Sequence, residues 1–322
     1  MTLQEGTLAE LLDDGAAYAA EYDDGLGNHR PMALLALHRL GATDQRLKAY
    51  AATYSTRLEP APAPQAWPSG DAWKGRFSQR EAWPAYRALF AQWIAIESAP
   101  VMLAQVLPGL MPGCGAAAFH GLIRTAYAMA AAHEQELADG LAYWACRFMP
   151  LGTMGTGAED DPVSLLRLLK AGTSGARLID QRMRDAASSG RVNQMVSRLA
   201  LGAARPEVLA RAAALAYAGS GSFTALHLVT ATHAMRVITP YLDEPGTAWH
   251  WFWQAFATAV VAAALKPRPA APLLAWDQII EAAIMSDDDH QAKLVYSCRE
   301  EETVYGGQDW QRAASCAVAA MV

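Results

Sequence analysis

The sequence predicts an all-α protein, a single large helical domain over residues 1–322 with no significant β-sheet. Three observations carry this expectation. Alanine recurs in runs, as at 116–118, 130–132 and 262–264; it has the best intrinsic helix propensity and lets helices approach closely. Apolar residues return at helical spacing in segment after segment, with no convincing period-2 run and no alternating β-α pattern. The 322 residues are 52% hydrophobic and 18% charged, enough apolar material for one large core or two closely packed halves. No repeat of roughly 30 to 50 residues is visible, which argues against a solenoid.

The elements follow in order. Leu8, Leu11, Leu12 and Ala16 mark an amphipathic helix over 7–22, which Gly25-Leu26-Gly27-Asn28 breaks. Pro31 opens a second helix ending at Gly41, since proline is tolerated in a first turn. Thr43 caps a third that reaches about residue 57. Residues 59–69 contain Pro60, Pro62, Pro64 and Pro68 and read as an extended connector. A helix over 81–99 is followed by a Gly/Pro-rich turn at 108–115. A long helical tract over 116–148 is interrupted near Gly140. Residues 151–162 read as loop. Helices follow over 163–170, 176–187, 191–199 and 206–218, and then over 223–238, where Pro240 ends the element. The last four cover 249–265, 276–285, 287–302 and 308–321.

Composition excludes several classes. The formal net charge is -6 and no basic stripe is present, so nucleic acid is not an expected partner. Cys114, Cys146, Cys298 and Cys316 form no CxxC pair, and a chain of this length does not need disulfides. Residues 1–14 carry four acidic residues and no basic one, unlike a signal peptide. The longest apolar stretch, 255–265, is about half a bilayer span. The expectation is a cytoplasmic protein with no membrane partner. No GxGxxG follows a strand, and no GxSxG, HExxH or CxxCH occurs. Gly219-Ser220-Gly221-Ser222 resembles a phosphate loop superficially, but lacks its Lys and preceding strand; Ser222 as a helix N-cap is the favoured reading.

The eight histidines carry the functional signal. His29 lies between a Gly/Asn break and a helix start, while His120 and His227 sit among apolar neighbours. Burying several imidazoles costs desolvation unless each has a partner, and one metal ion is an economical shared partner. His290 and Lys293 are three apart on one helix face, behind an acidic first turn of Asp287, Asp288 and Asp289 that suits the helix dipole. A desolvated Lys293 loses its proton more easily and can take up carbon dioxide as a carbamate, an oxygen ligand for a metal. The plainer reading is a surface lysine paired with Asp289. His233 is six residues after His227, roughly 120° around the helix, so both cannot easily point at one metal; His227 is preferred as the ligand, with His233 the alternative. His38, His133 and His250 are read as structural.

The segments Asn28-His29-Arg30-Pro31-Met32-Ala33-Leu34-Leu35-Ala36-Leu37, Phe119-His120-Gly121-Leu122-Ile123-Arg124-Thr125-Ala126-Tyr127, Leu226-His227-Leu228-Val229-Thr230 and His290-Gln291-Ala292-Lys293-Leu294 together resemble the questin oxidase-like family. The resemblance implies a helical oxidoreductase of the kind found in fungal polyketide pathways and in many bacteria. Such activities resemble O2-dependent cleavage of anthraquinone-type rings, by Baeyer–Villiger-like oxidation or by non-haem iron dioxygenation. It further implies His29, His120, His227 and His290 as metal ligands, with Lys293 in the same site. Iron(II) suits four imidazoles and an oxygen donor. The expected partners are O2 and a small aromatic substrate. Arg124 and Tyr127 are the residues expected to act on it, Arg124 by holding a phenolate or carboxylate, unless it forms a surface ion pair. Trp93, Tyr127, Trp251 and Trp253 either line the substrate pocket or pack the core. The competing readings are an NADPH-dependent monooxygenase without bound metal, a non-catalytic helical ligand-binding protein, and a zinc hydrolase. For the last, no carboxylate is clearly placed as a general base.

Overall fold

The computed structural model describes residues 3–68, 70 and 72–319. Among them are sixteen α-helices and one two-stranded sheet, so the fold is all-α. Helix α1 (Leu3–Gly15) stops seven residues before the end predicted for it. The chain then turns back as a hairpin, β1 (Glu21–Tyr22) against β2 (Leu26–Gly27), through Asp23 and Asp24 at positive φ. Strands two residues long cannot display a period-2 pattern, which is why the hairpin was not visible in the sequence.

Helix α2 (Arg30–Arg39) has Pro31 in its first turn. The Thr43 side chain caps α3 (Asp44–Ser55) by accepting from the Arg46 N–H at 3.2 Å. The proline-rich connector follows as irregular chain, its last expected residue, Ser69, lying outside the described residues. After α4 (Trp83–Glu97), Ser98 at φ 73° reorients the chain into α5 (Ala99–Leu110). The sequence reading has a turn from residue 108 and no α5. Pro100 sits in its first turn, where proline is tolerated, and Pro108 in its last.

The tract predicted over 116–148 divides into α6 (His120–Ala130) and α7 (Glu134–Cys146), broken at Ala132 with φ 51° and not at Gly140. Gly140 sits inside α7, and a Cβ there would lie 2.8 Å from the Thr125 backbone nitrogen of α6. Gly121 does the reciprocal job on α6, where a Cβ would meet the Trp144 Cα at 2.6 Å. Both glycines are close-approach positions, a property set by the partner helix.

The chain continues through α8 (Pro162–Leu168), α9 (Ile179–Ser188), α10 (Arg191–Val196) and α11 (Pro206–Ser220). Gly221, at φ 60°, ends α11, and the Ser222 hydroxyl caps α12 (Phe223–Ile238), so the Gly-Ser run is a helix joint. The remaining helices are α13 (Pro245–Ala263), α14 (Trp276–Met285), α15 (Asp289–Tyr305) and α16 (Asp309–Val318). The expected end of the last, Met321, is outside the described residues. Helix α6 packs against α2, α7 and α12, and α15 against α2, α12, α14 and α16. One cluster of buried apolar side chains runs from Leu8 to Val318. The four cysteines are buried and unpaired, and no helix among the described residues is long and apolar enough to cross a membrane.

The close approach of α6 and α7 gives a first expectation. Gly140→Val should lower stability by about 1–3 kcal/mol through overpacking, read as a reduced urea midpoint. An unchanged midpoint would contradict the contact.

Candidate metal centre

Four helix beginnings deliver four imidazoles to one point. Asn28 docks the hairpin through its side-chain N–H to the Ala19 carbonyl at 3.0 Å, and its Oδ1 accepts from the Arg30 N–H at 3.0 Å. That places His29 at the N-cap of α2, where its own backbone N–H donates to the Tyr54 hydroxyl at 3.1 Å. His120 is the first residue of α6 and follows three residues in left-handed conformation, Ala117, Ala118 and Phe119. Each such non-glycine residue costs roughly 1–2 kcal/mol, and strain of this kind collects where a side chain must be held in one place. His227 lies in the second turn of α12, and His290 is the second residue of α15, its backbone N–H capped by Asp288 at 2.9 Å.

The ring nitrogens then meet. The His29 and His120 Nε2 atoms are 2.8 Å apart, and the His227 Nε2 is 3.2 Å from the same His120 atom. The His290 ring stands edge-on to His29, with centroids 4.8 Å apart, and 5.6 Å from that of His227. Gly27 leaves room for this, since a Cβ there would be 3.2 Å from the His29 Nε2.

Partners on the outer nitrogens assign the tautomers. The His29 Nδ1 faces the Asp289 carboxylate at 2.5 Å, the His227 Nδ1 faces the Phe223 carbonyl at 2.8 Å, and the His290 Nδ1 is 3.2 Å from Asp289. Each of these acceptors draws the ring proton to Nδ1, leaving Nε2 as a bare lone pair. Two bare nitrogens therefore face the His120 Nε2, whose single proton can satisfy only one of them. The His290 Nε2 is buried and has no hydrogen-bond partner. The site carries more lone pairs than protons, and an electron-pair acceptor resolves that imbalance. Two nitrogens each about 2.1 Å from one ion are about 3.0–3.4 Å apart, close to the spacings found. The residues present fit a metal ion.

Asp289 completes the geometry. Its Oδ2 takes His29, His290 and the Lys293 Nζ, the last at 3.2 Å. A compact group of His29, Asp289 and His290 has ligand atoms all within 4.8 Å of one another. The sequence places Asp289 in an acidic first turn and, in the plainer reading, beside a surface Lys293; the pairing is present, but the lysine is buried. The spacing of Asp289, next to His290 and four before Lys293, is the signal that would have found it.

A model of the questin oxidase-like family matches residues 26–298 of the 322-residue chain. The chain belongs to the questin oxidase-like family. The four histidines, Asp289 and Lys293 all fall within the matched span, and the membership points to an oxidoreductase. No curated protein matches the chain.

Other expected residues of this family member lie elsewhere. Arg124 is buried, and its Nε and Nη2 are held by Glu136 at 2.5 and 2.8 Å and by Asp139 at 3.5 Å, which ties α6 to α7, while its Nη1 is buried without a partner. The surface ion pair proposed as its alternative is thus a buried one. The Tyr127 hydroxyl contacts the Ser297 hydroxyl at 2.9 Å and donates to the Lys293 carbonyl at 3.2 Å. It props the helix behind the site. His233 pairs with Glu301 at 2.8 Å, away from the cluster. His133 caps α7, and the His250 Nε2 meets the Gly155 carbonyl. Trp93 packs with Phe90 and Trp73, and the Trp253 indole N–H donates to the Val196 carbonyl, so both belong to packing. The Trp251 backbone carbonyl receives the Cys114 thiol at 3.7 Å, and its half-buried ring packs on the core.

Burial keeps His29, His120 and His227 neutral. Burial, reinforced by the Lys293 charge, pushes His29 down to about 3. Burial likewise lowers His120, with help from His29 and His227, and lowers His227, with help from His290. Burial lowers Lys293 against the pull of Asp289. Burial alone would push the Asp289 carboxyl up, but His29, Lys293 and His290 outweigh it and hold it well below the usual carboxylate range.

This has a pH consequence for chelator-treated protein. The unfolded chain takes protons on these imidazoles near pH 6.5, whereas folded His29 resists to about 3. Stability should therefore be full above about pH 6.5 and fall as the pH drops toward 3. Chemical denaturation across that window reads it, and a His120→Gln/His227→Gln variant should give a flatter profile. Equal slopes would contradict the neutral cluster.

Proposed function

We propose that His29, His120, His227 and His290 bind one divalent transition-metal ion and that the protein uses it to oxidise an aromatic substrate with O2. The surplus of bare Nε2 lone pairs over protons is the observation that supports this reading. Imidazole donors suit iron, copper and zinc alike. Zinc has no redox chemistry, so for an oxidoreductase iron(II) is the fitting choice. When bound, the ion would supply O2 activation and Lewis acidity.

The chain's own residues then have definable roles. Asp289 holds the Nδ1 protons of His29 and His290, which aims both Nε2 atoms inward and raises their donor strength. The Phe223 carbonyl does the same for His227. Lys293 is the buried counter-ion of Asp289. A carbamate on its nitrogen would set a second negative charge against that carboxylate, so we assign it the ammonium role instead of a ligand role. The four helix N-termini carry partial positive charge, and the ionised Asp289 offsets this for a cation.

Phe223 is half exposed, and its ring packs on His227 and His290 with centroids 4.8 and 4.6 Å away. We assign it to the mouth of the site, where a flat aromatic substrate would stack. The metal-free reading with NADPH leaves the surplus lone pairs unexplained, and no observation favours it.

The test is metal content and O2 uptake. Untagged protein loaded anaerobically with iron(II) should hold roughly one ion per chain, as one set of four imidazoles implies, and His120→Ala should lose it. Asp289→Asn should weaken binding roughly 10–100-fold. O2 uptake should appear with polyhydroxylated quinones and fail in both variants. Retention of iron by His120→Ala would sink the assignment.

A further inference from the structure

A cleft away from the metal centre contains none of the histidines. It is an open cleft of about 900 Å³ between residues 168–174, α9, α10 and the C-terminal end of α13. That volume is in the range of small-molecule sites, about 300–1,000 Å³. Its floor is fixed by Gly172, whose N–H donates to the Val261 carbonyl at 2.8 Å, and where a Cβ would come within 3.2 Å of that carbonyl oxygen.

The lining combines two chemistries. Leu169, Val192, Met195 and Val261 are apolar, and the exposed Leu168 stands at the lip. Lys170, Arg182, Arg191 and Arg198 are cationic, against Asp185 as the one acid among the lining residues. Asp185 accepts from the Ser174 hydroxyl, and Arg198 is paired with Glu159. Among the described residues neither Lys170 nor Arg191 has an acidic partner. Arg182 meets only the Thr224 hydroxyl, at 3.4 Å, and its Nε is buried without a partner. Arg198 is balanced by Glu159, and Asp185 offsets one of the other three cations, so in a chain of net charge -6 this apolar-walled cleft carries a local excess of two positive charges. A buried donor left unpaired costs free energy until an acceptor arrives.

We propose that this cleft is a second binding site, one that takes an organic anion: an apolar body bearing a carboxylate, sulfonate or phosphate. The anionic group lies against Arg182, Arg191 and Lys170, and the body lies on Val192, Met195 and Val261. The site is independent of the metal centre, although Arg182 reaches it indirectly: Thr224 neighbours Phe223 on α12.

The probe is 1-anilinonaphthalene-8-sulfonate, followed by its fluorescence on the full chain, beside N-phenyl-1-naphthylamine, the same body without the charge. One sulfonate probe should bind per chain with displacement by salt, and Lys170→Gln/Arg191→Gln should weaken it roughly tenfold or more. Both residues are exposed, so folding should be unaffected; Arg182→Gln should add a further loss. His120→Ala should bind the probe as the unaltered chain does, whatever becomes of the metal. Absence of binding, equal affinity for the neutral analogue, or affinity unchanged by the substitutions would overturn the proposal.

Discussion

The carboxylate of Asp289 is the point on which the candidate site turns. One oxygen meets the outer nitrogen of His29, the outer nitrogen of His290 and the ammonium of Lys293. Those contacts decide where the protons of two imidazoles reside, and so which nitrogens are left to bind something else. They also explain how an acid and a lysine can both be nearly inaccessible to water. Each charge is the other's partner, and removal of one would leave the other buried and uncompensated. The site's inward geometry is thus held from outside, by groups that need not touch a bound ion at all.

The folding cost of this arrangement is visible around it. Three consecutive left-handed residues bring His120 to the start of α6, and four helix N-termini are pointed at a place suited to a cation. Neither feature stabilises the chain by itself. Both are supported by a densely packed frame in which Gly121 and Gly140 let α6 and α7 approach, while Arg124 is locked between Glu136 and Asp139. The frame also separates the chemistry from the cationic cleft, which lies along α9, α10 and α13 and has its own electrostatic character.

Much of this was legible in the sequence where the cause is local. Thr43 and Ser222 are caps, Pro31 opens a helix, and the roughly 120° between His227 and His233 lets only one of them face the cluster. What could not be read depends on a partner distant in sequence. Gly140 looks like a helix breaker until Thr125 is seen against it. Arg124 looks free to meet a substrate until Glu136 folds across from the next helix. Asp289 reads as a dipole-compensating residue because its partner His29 is 260 positions away. Helix α5 was hidden by prolines that mark its ends. In each case the local preference was read correctly, and packing gave the residue a different use.

The most direct measurement of the central claim is the X-ray absorption spectrum at the iron edge of protein reconstituted anaerobically with iron(II), compared with Asp289→Asn. The expected result is a first shell dominated by imidazole nitrogens, with the outer-ring scattering of several histidines, and a disordered or depleted shell in the variant. A shell of oxygen donors alone, or a spectrum unchanged by the loss of Asp289, would contradict the convergence of the four imidazoles on one ion.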